Sequence, residues 1–152
     1  MIVANNTCEM VGSLAYFYQS SNISVTSNTV KDSTTFGVTG SSCVNMSVSD
    51  LLFVGGYAVA VYYAGTGQNV SARGVRVNDF KSSVSSACGV VVAGTHEGVL
   101  LADLSSGSTR PAVNISSSSV SGGLVTNVLA LSASNAVTNS GTNITVSNVK
   151  SA

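Results

Sequence analysis

The chain of 152 residues is long enough to bury a core of its own and shows no linker, so we expect one domain, residues 1–152. Charged residues make up 8% of it and hydrophobic residues 44%, with a formal net charge of zero, and this balance excludes a disordered chain. The basic residues are scattered, which excludes the basic cluster of a nucleic-acid-binding surface.

Short runs of alternating apolar and polar residues recur along the chain, and alternation with a period of two predicts β-strands. In "SNISVTSNTV" at 21–30 it predicts that Ile23 and Val25 point inward, with Asn22, Ser24 and Thr26 outward. The uncharged stretch 51–72 contains glycines and the alternating run "YAVAVYY", which favours strands over a membrane span. The other predicted inward residues are Met46, Val48, Val75, Val77, Ile144 and Val146, and further strands are "CGVVVAG" at 88–94 and "GVLLADL" at 98–104.

A phrase consisting of Asn, an apolar residue and then Ser or Thr repeats through the chain. Its asparagines are Asn22, Asn45, Asn69, Asn114 and Asn143. The intervals are 23, 24, 45 and 29 residues, so 45 is interpreted as two periods with a skipped unit near Val92. A period in this range predicts a solenoid.

The composition of the repeat selects the kind of solenoid. Val, Ile, Thr, Tyr, Ser and Gly in short runs are typical of strands, and no leucine-rich frame is present. We therefore predict an all-β fold, a right-handed parallel β-helix of about five coils and on the order of 25 Å long. Tight turns with positive φ are predicted at Gly37, Gly40, Gly55, Gly56, Gly65, Gly67, Gly122 and Gly123. Neither end of the chain has the polar unit that caps a solenoid. We therefore expect that the chain is an excerpt of a longer array, or that its ends pair with neighbouring repeats.

The texture "NNTCEMVGSLAYFYQSSNISVTSN", followed by "TGSSCVNMSVSD", resembles the large surface proteins of kinetoplastid protists. The resemblance is closest to the dispersed gene family proteins of trypanosomes and the related membrane-associated proteins of free-living bodonids. It covers most of the chain and rests on repeat style, with no catalytic motif to carry over. It implies a long extracellular β-helical stalk, anchored by membrane segments outside this sequence, with a role in adhesion.

Six asparagines stand in N-x-Ser/Thr sequons and are glycosylation candidates in a secreted eukaryotic protein. An equally simple reading is that outward asparagines form a ladder of hydrogen bonds between coils. Glycans on adjacent coils, about 4.8 Å apart, would crowd one another, so full occupancy is not expected. The six candidates are Asn5, Asn22, Asn45, Asn69, Asn114 and Asn143.

Asp32, Asp79 and Asp103 are the candidates for catalysis, because stacked carboxylates on a β-helix can supply the acid and base of a polysaccharide-cleaving enzyme. Asp32 and Asp79 each follow a repeat asparagine by ten residues, and Asp103 follows Asp79 by 24. Gly55 at the equivalent position of the intervening coil interrupts that column. We therefore favour a non-enzymatic surface module, with the enzyme as the alternative.

The remaining candidate residues predict neither a metal site nor a cofactor. His96 is flanked by glycines in "GTHEGV", which is typical of a solvated turn. Cys43 and Cys88 are expected to be buried thiols that lie too far apart to form a disulfide bond. Cys8 could form a disulfide bond with a cysteine outside this sequence.

A further alternative is a solenoid that binds glycans or ice. A regular array of threonines would favour ice, whereas the outward positions here mix Ser, Asn, Thr and Arg. An aromatic patch would suit a glycan or protein ligand on cell surfaces, and in alternating strands about half of its members belong to the core. The candidate aromatics are Tyr16, Phe17, Tyr18, Tyr57, Tyr62 and Tyr63.

Overall fold

The computed structural model describes residues 1–9, 12–55, 59–78, 88–107, 110–131 and 135–151. These residues form seventeen β-strands and contain no helix. Every strand pairing is parallel, including the pairing of one coil with the next through the whole stack. The predicted all-β fold, a parallel β-helix, is thereby confirmed.

The strands belong to two sheets. The eleven-stranded sheet contains β1 (Ile2–Ala4), β2 (Thr7–Glu9), β4 (Ser21–Thr26), β5 (Thr29–Lys31), β7 (Val44–Ser49), β8 (Leu52–Val54), β10 (Thr66–Arg73), β11 (Arg76–Asn78), β13 (Thr95–Ser106), β15 (Val120–Ala130) and β17 (Thr142–Ser151). The six-stranded sheet contains β3 (Ala15–Tyr18), β6 (Phe36–Ser41), β9 (Val59–Ala64), β12 (Cys88–Val92), β14 (Val113–Ile115) and β16 (Val137–Asn139).

Stacking sets the length of the solenoid. The six-stranded sheet contributes one strand to each of six coils, one more than the sequence predicts, and β17 begins a seventh. The series from β1 through β4, β7, β10, β13 and β15 to β17 makes six steps. At about 4.8 Å per step, the stack is about 29 Å long.

The core is the column of inward side chains between the sheets. Ile23, Val25, Met46 and Val48 are at most 3% exposed, which confirms the faces predicted from alternation. Val75 and Val77 are buried in the same way. Ile23 stacks on Met46 and Val25 on Val48, so each coil covers the apolar residues of the one before it.

The last strand is an exception. Val146 stacks on Val125 in the predicted inward column, but it is 41% exposed, and Ile144 is only half-buried. No described strand lies on the other side of β17 to cover them. The prediction that Val146 is a core residue like Ile23 was therefore wrong.

The bends of the coil are made by asparagine and aspartate more than by glycine. Thirteen described residues other than glycine have positive φ, and ten of them are Asn or Asp. These two residue types tolerate the left-handed region because their short polar side chains bond locally. Of the glycines predicted at turns, Gly55, Gly65 and Gly122 have positive φ, and Gly56 lies outside the described residues.

The other predicted turn glycines are required for space. A Cβ at Gly67 would come within 2.7 Å of His96 Nδ1, and one at Gly123 within 3.1 Å of the side chain of Val99. A Cβ at Gly37 would lie 3.0 Å from the ring of Phe53, and one at Gly40 would collide with Met46. The prediction of positive φ at these four positions was wrong, since none of them is among the glycines in that region.

Candidate functional site

Asn22, Asn45 and Asn69 form a hydrogen-bonded ladder along the outside of the solenoid. The side-chain nitrogen of Asn45 donates to Oδ1 of Asn22 at 3.0 Å, and that of Asn69 donates to Oδ1 of Asn45 at 3.0 Å. All three residues have φ between 51° and 55°. The ladder therefore joins a backbone bend to a side-chain contact between coils, as the structural reading of the sequons predicts.

Glycine replaces asparagine at the next two positions of this column. Strand register places Gly98, Gly122 and Asn143 above Asn69 in the same column, with Gly98 and Gly122 at φ of 67° and 64°. The units that lack the asparagine are thus those of Gly98 and Gly122, and the assignment of a single skipped unit near Val92 was wrong. Val92 lies on β12 in the other sheet.

Asn114 is not a member of this ladder. It lies on β14 in the six-stranded sheet, where it stacks between Val91 and Thr138. Its assignment to the repeat was wrong, and the interval of 45 residues from Asn69 combines two different columns. The cause is physical: glycine and asparagine are both suited to positive φ, so a search for asparagine alone loses the phase where glycine replaces it.

The structure separates the glycosylation candidates by environment. The side-chain nitrogens of Asn45 and Asn69, to which a glycan would be attached, are engaged in the ladder. Asn5, Asn22 and Asn143 are exposed, and Asn114 is half-buried. Occupancy of the six sequons remains a prediction.

A second ladder follows the next bend in the last three coils. Asn148 donates to Oδ1 of Asn127 at 3.2 Å, and Asn127 donates to Oδ1 of Asp103 at 3.0 Å. Arg73 Nε lies 2.8 Å from Oδ2 of Asp103. The hydrogen bond from Asn127 and the contact with Arg73 lower the pKa of Asp103, so its carboxylate remains ionised to lower pH.

The predicted acidic column is not formed by Asp32 and Asp103. Asp32 stacks below Gly55, as predicted, whereas Asp103 stacks on Gly74, which stacks in turn on Asp50. Asp79 lies outside the described residues. Placing Asp103 in the column of Asp32 was wrong because β10 and β13 are paired with an offset of 29 residues, whereas the prediction took the 24 residues from Asp79 to Asp103 as one coil.

His96 is a core residue. It lies on β13 between Gly67 and Val120 and is 0% exposed, so the prediction of a solvated turn was wrong. Neither ring nitrogen has a hydrogen-bond partner among the described residues. Burial lowers the pKa of His96, and a weak interaction with the backbone of Ala93 offsets part of that effect.

The cysteines are free thiols. Cys43 and Cys88 are buried, as predicted, and Cys8 is half-buried. Burial raises the pKa of Cys88 to about 12, which makes it a poor nucleophile at neutral pH. Among the described residues, no three His, Cys, Asp or Glu side chains cluster closely enough to hold a metal ion.

The aromatic candidates divide between core and surface. Tyr63 and Phe17 are buried, and the hydroxyl of Tyr63 donates to the carbonyl of Ser71 across the core. Tyr16 and Tyr18 are 63% and 59% exposed, and Tyr62 is half-buried. Tyr57 lies outside the described residues. An aromatic surface is therefore present on the six-stranded sheet.

Comparison of the chain with protein-family models, curated proteins and solved structures finds no match. Among the described residues, no helix is long and apolar enough to cross a membrane.

Proposed function

We propose that this chain is a stretch of β-helical stalk at a cell surface, with a structural and adhesive role and no catalytic one. The observation that carries the proposal is the unbroken parallel stacking from β1 to β17. Each coil is held to the next by backbone hydrogen bonds and by a shared apolar core. A rod of this kind resists bending and keeps its two ends apart, as a stalk requires.

The outer ladders suit the same role. Asn22, Asn45 and Asn69 bond coil to coil with neutral groups, and Ser49 donates to Thr26 Oγ1 at 2.9 Å in a neighbouring column. Such contacts hold the coils in register and leave a polar surface of low charge. A surface of hydroxyls and amides adapts to contact with many partners, which supports an adhesive role.

The environment of Asp103 argues against a role as a general acid. Both carboxylate oxygens are engaged, by Asn127 and Arg73, and its pKa is lowered, whereas a general acid needs a raised pKa. Asp32 lies on a different column. A polysaccharide lyase or hydrolase that relies on these two aspartates is therefore the weaker candidate.

The repeat style supports membership of the dispersed gene family proteins and their bodonid relatives, and we place the chain outside the cell on that basis. Exposed Asn5, Asn22 and Asn143 then become the first sequons to examine for glycans. The neighbouring repeats of a longer chain would continue the stack beyond β17.

Beads that carry the folded chain test the adhesive role. Beads coated with the wild-type chain should bind to cells or matrix from the source organism more often than beads coated with Ile23→Asp, which disrupts the core. A surface variant that leaves the core intact, Ser24→Ala, serves as the matched control. Equal binding by all three coatings would contradict the proposal.

A further inference from the structure

The outer surface of the six-stranded sheet differs in charge from the rest of the solenoid. None of its six strands, as the structure describes them, contains a charged residue. The eleven-stranded sheet contains Glu9, Lys31, Arg73, Arg76, Glu97, Asp103 and Lys150. A ligand of the six-stranded sheet therefore has no ion pair to form on its strands, and an anionic or cationic ligand would lose hydration without compensation.

Aromatic rings lie along this surface. Strand register stacks Tyr16, Thr39, Tyr62, Val91 and Asn114 in one column that runs from coil to coil. The rings of Phe36 and Tyr62 are stacked, with centroids 5.1 Å apart and planes inclined by 14°. Since each step is about 4.8 Å, Tyr16 and Tyr62 are about 10 Å apart along the solenoid axis.

A groove continues from the rings. Its volume is about 310 Å³, and its floor is a small apolar cluster, separate from the core, in which Val59 and Val91 are buried. Asn114 and Ser116 at its far side offer an amide and a hydroxyl. Apolar walls with a few polar groups are typical of a site for a small or extended ligand.

Thr39 provides an independent observation. It lies between Tyr16 and Tyr62 in the column, is 3% exposed, and its Oγ1 has no hydrogen-bond partner among the described residues. A buried hydroxyl without a partner is costly. A ligand hydroxyl would satisfy it once the side chains that cover Oγ1 move aside, because this atom has almost no accessible surface.

We infer that this surface binds a neutral, extended, β-linked polysaccharide whose chain runs along the solenoid axis. Sugar rings stack their C–H faces on tyrosine, and two residues of an extended β-1,4-linked chain extend about as far as the spacing of Tyr16 and Tyr62. From Tyr16 to Asn114 is four steps, about 19 Å, so the site accepts about four sugar residues. This inference rests on the proposed adhesive function and names the class of its ligand.

Calorimetric titration of the full chain, made in bacteria so that no sequon carries a glycan, tests the site. The neutral probes are cellohexaose and chitohexaose, the corresponding trisaccharides are too short to reach from Tyr16 to Asn114, and hexagalacturonate is the anionic probe. At least one neutral hexasaccharide should bind, and its trisaccharide and the anionic probe should bind more weakly. Tyr16→Ala should weaken binding about tenfold, because one stacking platform is lost.

Two further variants separate binding from folding. Leu100→Ala, at a residue 44% exposed on the eleven-stranded sheet, should leave affinity unchanged. Thr39→Val keeps the shape and removes the unpaired hydroxyl, so it should weaken binding several-fold without lowering thermal stability. A merely structural role for Thr39 would not separate these two readouts.

Absence of binding by both neutral hexasaccharides, or binding that Tyr16→Ala leaves unchanged, would overturn the inference. If the wild-type beads still adhere in that case, the proposed stalk function stands and only its ligand is wrong. If hexasaccharide binds but the beads do not adhere, the adhesive function fails and the site stands.

Discussion

Asn45 donates its side-chain amide to Oδ1 of Asn22 at 3.0 Å, and both residues have the positive φ of a left-handed bend. One residue type thus serves two purposes, because it tolerates the bend and bonds to the same residue one coil away. This pairing explains why asparagine recurs in the sequence without reference to glycosylation.

Substitution of Asn45 separates these two purposes. Asn45→Gly keeps the bend and removes the bonds to Asn22 and Asn69, so it should lower the free energy of unfolding by about 1 kcal/mol. Asn45→Ala removes the same bonds and also places alanine at a positive φ that asparagine and glycine tolerate better. It should therefore cost about 1 kcal/mol more than Asn45→Gly. Urea denaturation measures both. Equal stability of the two variants would show that the bend imposes no strain on alanine.

Gly98 should accept asparagine. Its φ of 67° suits Asn, and the nearest obstacle to a Cβ is Oδ1 of Asn69, the end of a side chain that can turn away. We expect Gly98→Asn to extend the ladder and raise stability by up to about 1 kcal/mol, since it also restricts the unfolded chain.

Gly98→Val is the matched control for that experiment. A β-branched residue at positive φ should lower stability by about 1–2 kcal/mol. The two variants should therefore shift the urea midpoint in opposite directions. A loss of stability in both would contradict the assignment of Gly98 to the ladder.

His96 should make stability depend on pH. Its pKa is lowered in the folded protein, so as the pH falls below about 6.5 the unfolded chain takes up a proton first. The free energy of unfolding should change little between about pH 7.5 and 8 and decrease as the pH falls through 6.5, by at most about 1.4 kcal/mol per pH unit. His96 is the only histidine in the chain, so we assign the change in stability between about pH 5 and 6.5 to its titration.

His96→Phe keeps a ring in the space that Gly67 provides and removes the titration. Thermal melts of the two proteins between pH 5 and 8 should diverge below pH 6.5, with the variant nearly flat. Parallel curves would mean that the imidazole is not buried in a neutral form.

Ile23 and Val146 should respond differently to the same substitution. Ile23 is 3% exposed between two coils, and Ile23→Asp should cost on the order of 4 kcal/mol, because an unpaired charge enters the core. Val146 is 41% exposed on the last described strand, and Val146→Asp should cost about 1 kcal/mol or less. Equal losses in chemical denaturation would show that Val146 is covered in solution.

The sequence predicts the local features well and the long-range ones poorly. Alternation at Ile23, Val25, Met46 and Val48 is enough to identify inward faces, because it depends only on the geometry of a strand. His96 was misplaced because the space for its ring comes from Gly67, a residue of the previous coil. Local flanking glycines indicate a turn, and nothing near His96 in the sequence indicates that neighbour.

The stacking of residues from coil to coil is also a long-range feature that the sequence predicts poorly. The register that separates Asp32 from Asp103 depends on the lengths of all the strands between them, and one coil with an altered length moves every later residue to another column. The aromatic patch on the six-stranded sheet was predicted only as a possibility for six residues. The charge-free strands that support it are visible in the sequence once the strand limits are known.

Labelling of intact cells tests the central claim most directly. An antibody raised against the folded chain should label unpermeabilised cells of the source organism, and brief protease treatment of those cells should remove the label. An antibody to an internal protein should label only after permeabilisation. If the antibody to the chain also requires permeabilisation, the chain is not part of a surface stalk.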